Sequence, residues 1–162
     1  MITDMHKIFF PMLIDIHDKD VLIVGGGRVA SRRAKTLLTC GAKVHAVSPE
    51  FIDEFPECTE RIMREFEPDD IDSRFILVIA ATDSRETNRL IHDIAKSKGV
   101  CVNICDSQSE CDFFFPSLIV HENASVSVST SGLSASLTKR LSDRLRCVWP
   151  SWVEDEMRKS LS

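Results

Sequence analysis

The sequence predicts an α/β fold built on a doubly wound parallel sheet, followed by a smaller unit. Strand-like and helix-like segments alternate between residues 20 and 104, which is typical of repeated β-α-β units. The run 75–81 is apolar almost throughout, as expected for a parallel strand that is covered on both faces. A glycine-rich turn over residues 25–27 separates the first strand-like run from the first helix.

The individual elements can be assigned in chain order. Strands are predicted over the five apolar or β-branched runs 20–24, 43–47, 61–66, 75–81 and 100–104. Helices are predicted over 28–40 and 85–98, where apolar residues recur at helical spacing. Gly41 and Gly99 follow these helices as C-terminal stops.

The pattern changes after Asp106. Two short β-like runs, 117–121 and 125–130, predict a hairpin, and a basic helix follows near 135–147. The sequence around Pro150 is predicted to break this helix before a short polar helix closes the chain. We therefore predict two domains, a nucleotide-binding domain over 1–112 and a hairpin-plus-helix unit over 113–162.

Composition argues against several classes of protein. The 162 residues are 43% hydrophobic and 28% charged, as in a soluble globular protein. A formal net charge of −5 argues against a nucleic-acid partner, which favours a basic surface. No apolar run approaches the roughly 18 residues of a membrane helix, and from the acid in residues 1–7 and their lack of a long apolar core we expect no secretory signal. We expect a cytoplasmic protein with no membrane partner.

The charge is unevenly distributed. Residues 50–72 contain ten acids against Arg61 and Arg64, and this run is expected to form a solvated face. The six cysteines contain no C-x-x-C pair, so we expect buried small side chains rather than metal ligands, and no metal site is assigned.

The glycine-rich turn matches G-x-G-x-x-A between a strand and a helix, as in a Rossmann-type fold. Gly25 permits the tight turn, Gly27 removes the side chain that would block a pyrophosphate, and Ala30 lets helix and strand pack closely. The helix N-terminus would bind the pyrophosphate through its free N–H groups. A glycine turn used only for packing is the alternative. The predicted cofactor-binding residues of this motif are Gly25, Gly26, Gly27, Arg28 and Val29.

The end of the second strand usually carries an acid that binds the adenosine ribose. Here the position is Ser48, followed by Pro49, and we take Ser48 as a cofactor contact. Since neither an acid nor an arginine lies there, the residues leave NAD and NADP undecided. The missing acid also weakens an alternative in which the chain is a non-catalytic nucleotide-sensing module.

Five ordered segments together resemble the precorrin-2 dehydrogenase family, the oxidase/ferrochelatase module of siroheme synthesis. They are residues 10–16, 24–33, 79–83 with Asn88, 103–106 with 111–113 and 115–116, and 127–135. The resemblance implies NAD-dependent oxidation of precorrin-2 to sirohydrochlorin, with Fe²⁺ insertion in some members. It also implies a homodimer formed through the 113–162 unit, and it favours NAD over NADP.

The resemblance implies that Asp106 is the catalytic aspartate. Its place after a buried strand, at the carboxyl edge where such sheets bind ligands, suits a general base, with a turn cap as the alternative. Thr82, Asp83 and Asn103 also follow or end strands and are predicted cofactor contacts, with capping or strand support as the alternative.

The implied tetrapyrrole carries many carboxylates, so cationic side chains should contact it. The predicted substrate-binding residues are Arg32, Lys139, Arg140 and Arg144. A ferrochelatase with little redox activity remains an alternative, and the intact glycine turn counts against it.

Overall fold

The computed structural model describes residues 8–58 and 60–160. Residues 1–7, part of the predicted first domain and the place where no secretory signal was expected, lie outside the described residues. The chain forms two compact units, one over Ile14–Phe114 and one made of the segment ending at Leu13 and the segment beginning at Phe115. The early segment groups with the later one, and within that unit the Phe9 N–H donates to Ser131 Oγ at 3.4 Å.

The Ile14–Phe114 unit contains a five-stranded parallel sheet. Its strands are β1 (Asp20–Val24), β2 (Lys43–Val47), β3 (Glu60–Ile62), β4 (Leu77–Ala80) and β5 (Cys101–Ile104). They lie in the order β3-β2-β1-β4-β5, so the connection reverses direction between β1 and β4. This is the arrangement in which ligands bind outside the carboxyl ends of the strands at the reversal. The predicted Rossmann-type sheet is confirmed.

Strand β3 ends earlier than predicted, at Ile62 rather than residue 66. Beyond it the Arg64 guanidinium turns to form two hydrogen bonds with the Asp70 carboxylate. The edge strand therefore gives way to a loop that is held by an ion pair.

Two helices pack on the sheet. Helix α1 (Arg28–Thr39) contacts β1 and β2, and α2 (Arg85–Ser97) contacts β4 and β5. Leu22, Val78 and Val102 form one buried face with Ile91 of α2. The alternate residues of β1 are equally buried, as expected for a sheet with helices on both faces.

His45 of β2 links three neighbouring strands, β1, β2 and β3. Its buried imidazole lies 2.6 Å from the Asp20 carboxylate of β1 through Nε2 and 3.0 Å from the Glu60 carboxylate of β3 through Nδ1. The ring also makes an edge contact with Phe75. A polar side chain is thus accommodated in the core because both ring nitrogens have partners.

Asp112 links the end of the Ile14–Phe114 unit to β5 and α2. Lys96 Nζ donates to its Oδ1 at 2.7 Å, and the Val102 N–H donates to its Oδ2 at 3.1 Å. Burial alone would raise the pKa of the Asp112 carboxyl, but the two hydrogen bonds outweigh it, and the pKa lies below its ordinary value of 3.8.

Asp112 should make stability depend on acid pH. Because the folded pKa is below the unfolded one, its contribution is complete above the unfolded pKa and is lost as pH falls through the folded pKa. We expect Asp112→Asn to lower the free energy of unfolding at pH 6 and to lose less stability than wild type between about pH 5 and pH 3. Urea denaturation of both proteins at pH 6, 5 and 3 measures these free energies of unfolding. Asp69→Asn, at an exposed acid, is the control, and parallel pH curves for wild type and Asp112→Asn would refute the assignment.

The second unit contains an antiparallel hairpin and one long helix. Strands β6 (Ser117–His121) and β7 (Ala124–Val128) pair around a turn in which Glu122 has a φ of 50°. Helix α3 runs over Ala135–Ser160. The predicted hairpin-plus-helix architecture is confirmed.

The predicted break at Pro150 is wrong, because α3 continues through that residue. A proline inside a helix removes one hydrogen bond and strains one turn, which destabilises the helix by about 3 kcal/mol. The residues beyond it are held against the hairpin, since Val153 is buried and Glu154 lies 3.4 Å from His121 of β6. These contacts keep the chain helical after the proline.

The expectation of buried cysteines is also wrong. Cys40, Cys101, Cys105 and Cys147 are exposed, and Cys58 and Cys111 are half-buried. Cys101 is the first residue of β5 and Cys105 directly follows its last residue, where the chain reaches the surface. Within residues 8–58 and 60–160, no three His, Cys, Asp or Glu side chains are grouped as metal ligands. No helix in this part of the chain is long and apolar enough to span a membrane.

Candidate cofactor cleft and active site

A cleft of about 790 Å³ opens at the carboxyl ends of β1, β2 and β4, within the Ile14–Phe114 unit. Its walls are the glycine turn, the loop after β2 and the segment between β4 and α2. Six of the predicted cofactor residues line it: Gly25, Gly26, Gly27, Ser48, Thr82 and Asp83. The fold therefore brings together residues from three separate parts of the chain.

The three glycines of the turn have different surroundings. Gly25 has a φ of +125°, and a Cβ there would lie 2.3 Å from the Ala81 carbonyl oxygen. A Cβ on Gly26 would lie 1.9 Å from the Glu50 carbonyl oxygen. A Cβ on Gly27 would meet no heavy atom within 4 Å. Packing thus requires the first two glycines, whereas the third leaves open space on the cleft wall.

The open space at Gly27 fits a dinucleotide pyrophosphate. Gly27 is the N-cap of α1 and makes no side-chain cap, so the first N–H groups of the helix are available to an anion. Arg28 and Val29, the first two residues of α1, are exposed but do not line the cleft. Their contact with the cofactor stays a prediction.

The loop after β2 is tied onto the glycine turn. Ser48 Oγ donates to the Glu50 carbonyl at 2.7 Å, and the Ile52 N–H donates to the Gly26 carbonyl at 3.0 Å. The Ser48 hydroxyl hydrogen is therefore directed into its own loop, which holds that loop in a fixed turn over the sheet edge.

Asn88 shapes the third wall of the cleft. This fully buried side chain accepts hydrogen bonds from the Thr82 N–H at 3.2 Å and the Thr82 hydroxyl at 2.8 Å, and it donates to the Thr82 carbonyl at 3.1 Å. The sequence included Asn88 only within a family motif and assigned it no role. Its structural role could have been predicted from its place on the buried face of an amphipathic helix, where an amide needs hydrogen-bond partners.

Asp106 lies in the turn after β5. The preceding Cys105 N–H donates to the Ala80 carbonyl at 2.9 Å, which fixes the turn beside the end of β4. Arg85 Nη1 donates to Asp106 Oδ1 at 3.3 Å, and Arg85 is the first residue of α2, directly after the cleft wall. Asp106 is thus attached to the wall that contains Thr82 and Asp83, although it does not line the cleft itself.

Arg85 also binds Glu110. Its Nη2 lies 2.5 Å from both carboxylate oxygens of Glu110. This hydrogen bonding raises the pKa of Arg85 and lowers that of Glu110. Sequence analysis missed both residues, because they are 25 positions apart and meet only when α2 lies beside the loop after β5.

Asn103 does not face the cleft. It is buried, and its Nδ2 donates to the Phe113 carbonyl at 2.8 Å and to Cys111 Sγ at 3.4 Å. Its Oδ1 accepts a longer hydrogen bond from Cys105 Sγ. These contacts support the strand edge, and the cofactor role of Asn103 stays a prediction.

A further cation lies close to the Asp106 turn. Arg33 of α1 interacts with the Cys105 thiol. Burial lowers the pKa of Arg33. Although Cys105 as a whole is exposed, partial burial of its thiol raises the pKa of that group, and Arg33 opposes this rise. The predicted substrate residue Arg32 is exposed on the same helix. The other three, Lys139, Arg140 and Arg144, are exposed on α3 in the second unit.

A family model described as putative NAD(P)-binding matches residues 12–117. The chain belongs to this family. This chain is 41% identical over 143 residues to a probable multifunctional siroheme biosynthesis protein HemA of Ruminiclostridium josui, covering 85% of this chain and 28% of that protein. It is 38% identical over 149 residues to the siroheme synthase of Nitrosomonas eutropha, covering 88% of this chain and 31% of that protein. The chain therefore spans less than a third of these curated relatives.

Among solved structures, this chain is similar to SirC, a precorrin-2 dehydrogenase. The TM-score is 0.74 with 25% sequence identity, covering 90% of this chain and 76% of SirC. These matches confirm the resemblance to the precorrin-2 dehydrogenase family and support NAD as the cofactor. The site agrees, since Gly27 and the uncapped start of α1 offer the open space and N–H donors that NAD needs.

Proposed function

We propose that this protein oxidises precorrin-2 to sirohydrochlorin, with NAD as hydride acceptor, in siroheme biosynthesis. The observation that carries the proposal is Asp106, a carboxylate joined through Arg85 to the wall of the cofactor cleft. The names of the relatives and of the structural neighbour support the substrate. The glycine turn supports a redox reaction over a chelatase alone.

The reaction removes two hydrogens from the substrate as a hydride and a proton. Bound NAD supplies the hydride acceptor. Gly27 and the N-terminus of α1 hold the pyrophosphate, while Thr82, fixed by Asn88, forms the wall towards β4. Asp106 accepts the proton, and Arg85 orients its carboxylate. Precorrin-2 and NAD⁺ thus give sirohydrochlorin, NADH and a proton.

Substrate binding and assembly belong to the same proposal. Arg32, Lys139, Arg140 and Arg144 are exposed cations suited to the carboxylates of a tetrapyrrole. The second unit exposes large apolar side chains, among them Phe10, Leu133 and Trp152, which supports a homodimer formed through this unit. Six free cysteines support a reducing compartment such as the cytoplasm.

Anaerobic turnover tests the proposal. The purified protein is mixed with NAD⁺ and precorrin-2, and NADH formation is followed together with the sirohydrochlorin spectrum. We expect both to rise together above an enzyme-free control. Dinucleotide binding without turnover would favour a nucleotide-sensing module. Siroheme formation from sirohydrochlorin and Fe²⁺, without any NADH, would favour a chelatase.

A further inference from the structure

The cofactor cleft has a one-sided charge. All charged side chains that line it are acids, namely Glu50, Asp53, Glu54, Glu65 and Asp83. No lysine or arginine belongs to the described lining. NADP differs from NAD by a phosphate on the adenosine ribose, which adds a charge of about −1.5 to −2 near neutral pH. We propose that the acids of the loop after β2, Glu50 and Glu54 foremost, select NAD over NADP.

The position of this loop makes the selection specific to the ribose side of the cleft. In sheets of this order the end of β2 lies beside the adenosine ribose, where an acid usually binds the 2′-hydroxyl. That position is Ser48, whose hydroxyl donates to the Glu50 carbonyl. The first carboxylate on this side of the cleft therefore comes two residues later, at Glu50.

The acid-bearing loop is anchored at several points. The Glu50 carbonyl packs on Gly26 so closely that a Cβ there would lie 1.9 Å away. The Glu54 carbonyl accepts a hydrogen bond from Ser31 Oγ of α1 at 3.2 Å. Phe55, which follows, is buried. The loop backbone cannot move away from the cleft without breaking these contacts, so a bound 2′-phosphate would stay close to the carboxylates.

Neighbouring cations do not offset this charge. No described lysine, arginine or histidine side chain forms a salt bridge with any of the five acids. Arg61 lies near the loop, but its Nη2 donates to the Phe55 and Pro56 carbonyls at 2.7 Å, and its guanidinium lies 5.6 Å from the Phe51 ring centre. Arg28, at the start of α1, lies outside the lining. A 2′-phosphate would therefore meet several carboxylates and no lining cation.

Binding constants test the inference directly. Isothermal titration calorimetry of the whole chain gives the Kd for NAD⁺ and for NADP⁺ at low and at high salt. We expect NAD⁺ to bind at least about tenfold more tightly at low salt, with a smaller ratio in about 0.5 M salt because the repulsion is screened. The double variant Glu50→Gln, Glu54→Gln should bind NADP⁺ about tenfold more tightly than wild type and leave the Kd for NAD⁺ within about threefold.

The control variant removes two exposed acids of the same acidic run that lie outside the cleft lining, Glu57→Gln with Asp69→Asn. It lowers the negative charge by the same amount and should leave the NAD⁺ to NADP⁺ ratio unchanged. An equal change in both double variants would overturn the local selection. So would equal affinities in wild type, or tight NADP⁺ binding that Arg28→Gln abolishes.

The inference rests on dinucleotide binding in this cleft, which the proposed function also requires. The two can fail separately, because the binding constants need no tetrapyrrole. Selective NAD⁺ binding without precorrin-2 turnover would overturn the proposed reaction and uphold the selection. Turnover that is equally fast with NAD⁺ and NADP⁺, together with equal Kd values, would uphold the proposed reaction and overturn the selection.

Discussion

We expect Gly27→Val to abolish tight NAD⁺ binding while the protein remains folded. A Cβ at this position meets no heavy atom within 4 Å, so we expect the folded chain to accommodate the valine side chain. It occupies the space in which a pyrophosphate approaches the helix N-terminus. We expect the Kd for NAD⁺ to rise at least about 100-fold, which removes the stabilisation that bound NAD⁺ confers at a given concentration. Thermal melts with and without NAD⁺ measure both effects.

Gly26→Ala is the matched control for this prediction. Its Cβ would lie 1.9 Å from the Glu50 carbonyl oxygen, so backbone must move. We expect a loss of about 3 kcal/mol, or a fall in Tm of about 6–12 °C. Gly27→Val should cost only about 1 kcal/mol, for a poorer N-cap. Full NAD⁺ binding by Gly27→Val, or a fall in Tm as large as that of Gly26→Ala, would contradict the assigned roles.

Asp106→Asn should lower precorrin-2 turnover by about 10²- to 10⁴-fold, the range for removal of a general base. The amide keeps the shape of the side chain and a hydrogen-bond acceptor for Arg85, but it cannot take up the proton. The Kd for NAD⁺ should stay within about threefold of wild type, because Asp106 does not line the cleft. The anaerobic assay gives turnover, and calorimetry gives the Kd.

Glu110→Gln separates loss of the base from loss of the ion pair. It removes the charge of the other carboxylate that Arg85 binds and leaves Asp106 in place. We expect this variant to keep turnover within about tenfold of wild type, well above Asp106→Asn. Wild-type turnover by Asp106→Asn would exclude Asp106 as the base. Equal losses in both variants would instead assign the role to the arrangement of Arg85.

Features that depend on local sequence were predicted well. The five parallel strands, the helices that start at Arg28 and Arg85, and the hairpin all follow from apolar period and turn residues within short windows. The glycine turn was predicted for the same reason, since its strand and helix flanks are adjacent in the chain. The predictions that were wrong, the helix break at Pro150 and the buried cysteines, failed because tertiary structure outweighed the local sequence pattern. Contacts of Val153 and Glu154 carry α3 through Pro150, and strand ends expose Cys101 and Cys105.

The site was predicted only in part, because its remaining members are distant in sequence. Asp106 was selected from its place after a strand and from the family resemblance, and its role as the base stays a prediction, whereas its contact with Arg85 and the Arg85–Glu110 ion pair were not anticipated. The acidic run after β2 was expected to be a solvated face, yet four of its acids, Glu50, Asp53, Glu54 and Glu65, line the cleft. A charge pattern does not show which way a loop folds, since that depends on what it packs against.

Apolar periodicity and the glycine spacing determine that this chain forms a nucleotide-binding sheet, because each strand and helix needs one continuous apolar face. Tertiary structure decides how the cleft is charged and how Asp106 is held. Those features depend on the loop after β2 closing over Gly26 and on α2 lying beside β5, which bring Glu50 to the cleft and Arg85 to Asp106. Such long-range contacts arise from the packing of whole elements, and no short window of sequence contains them.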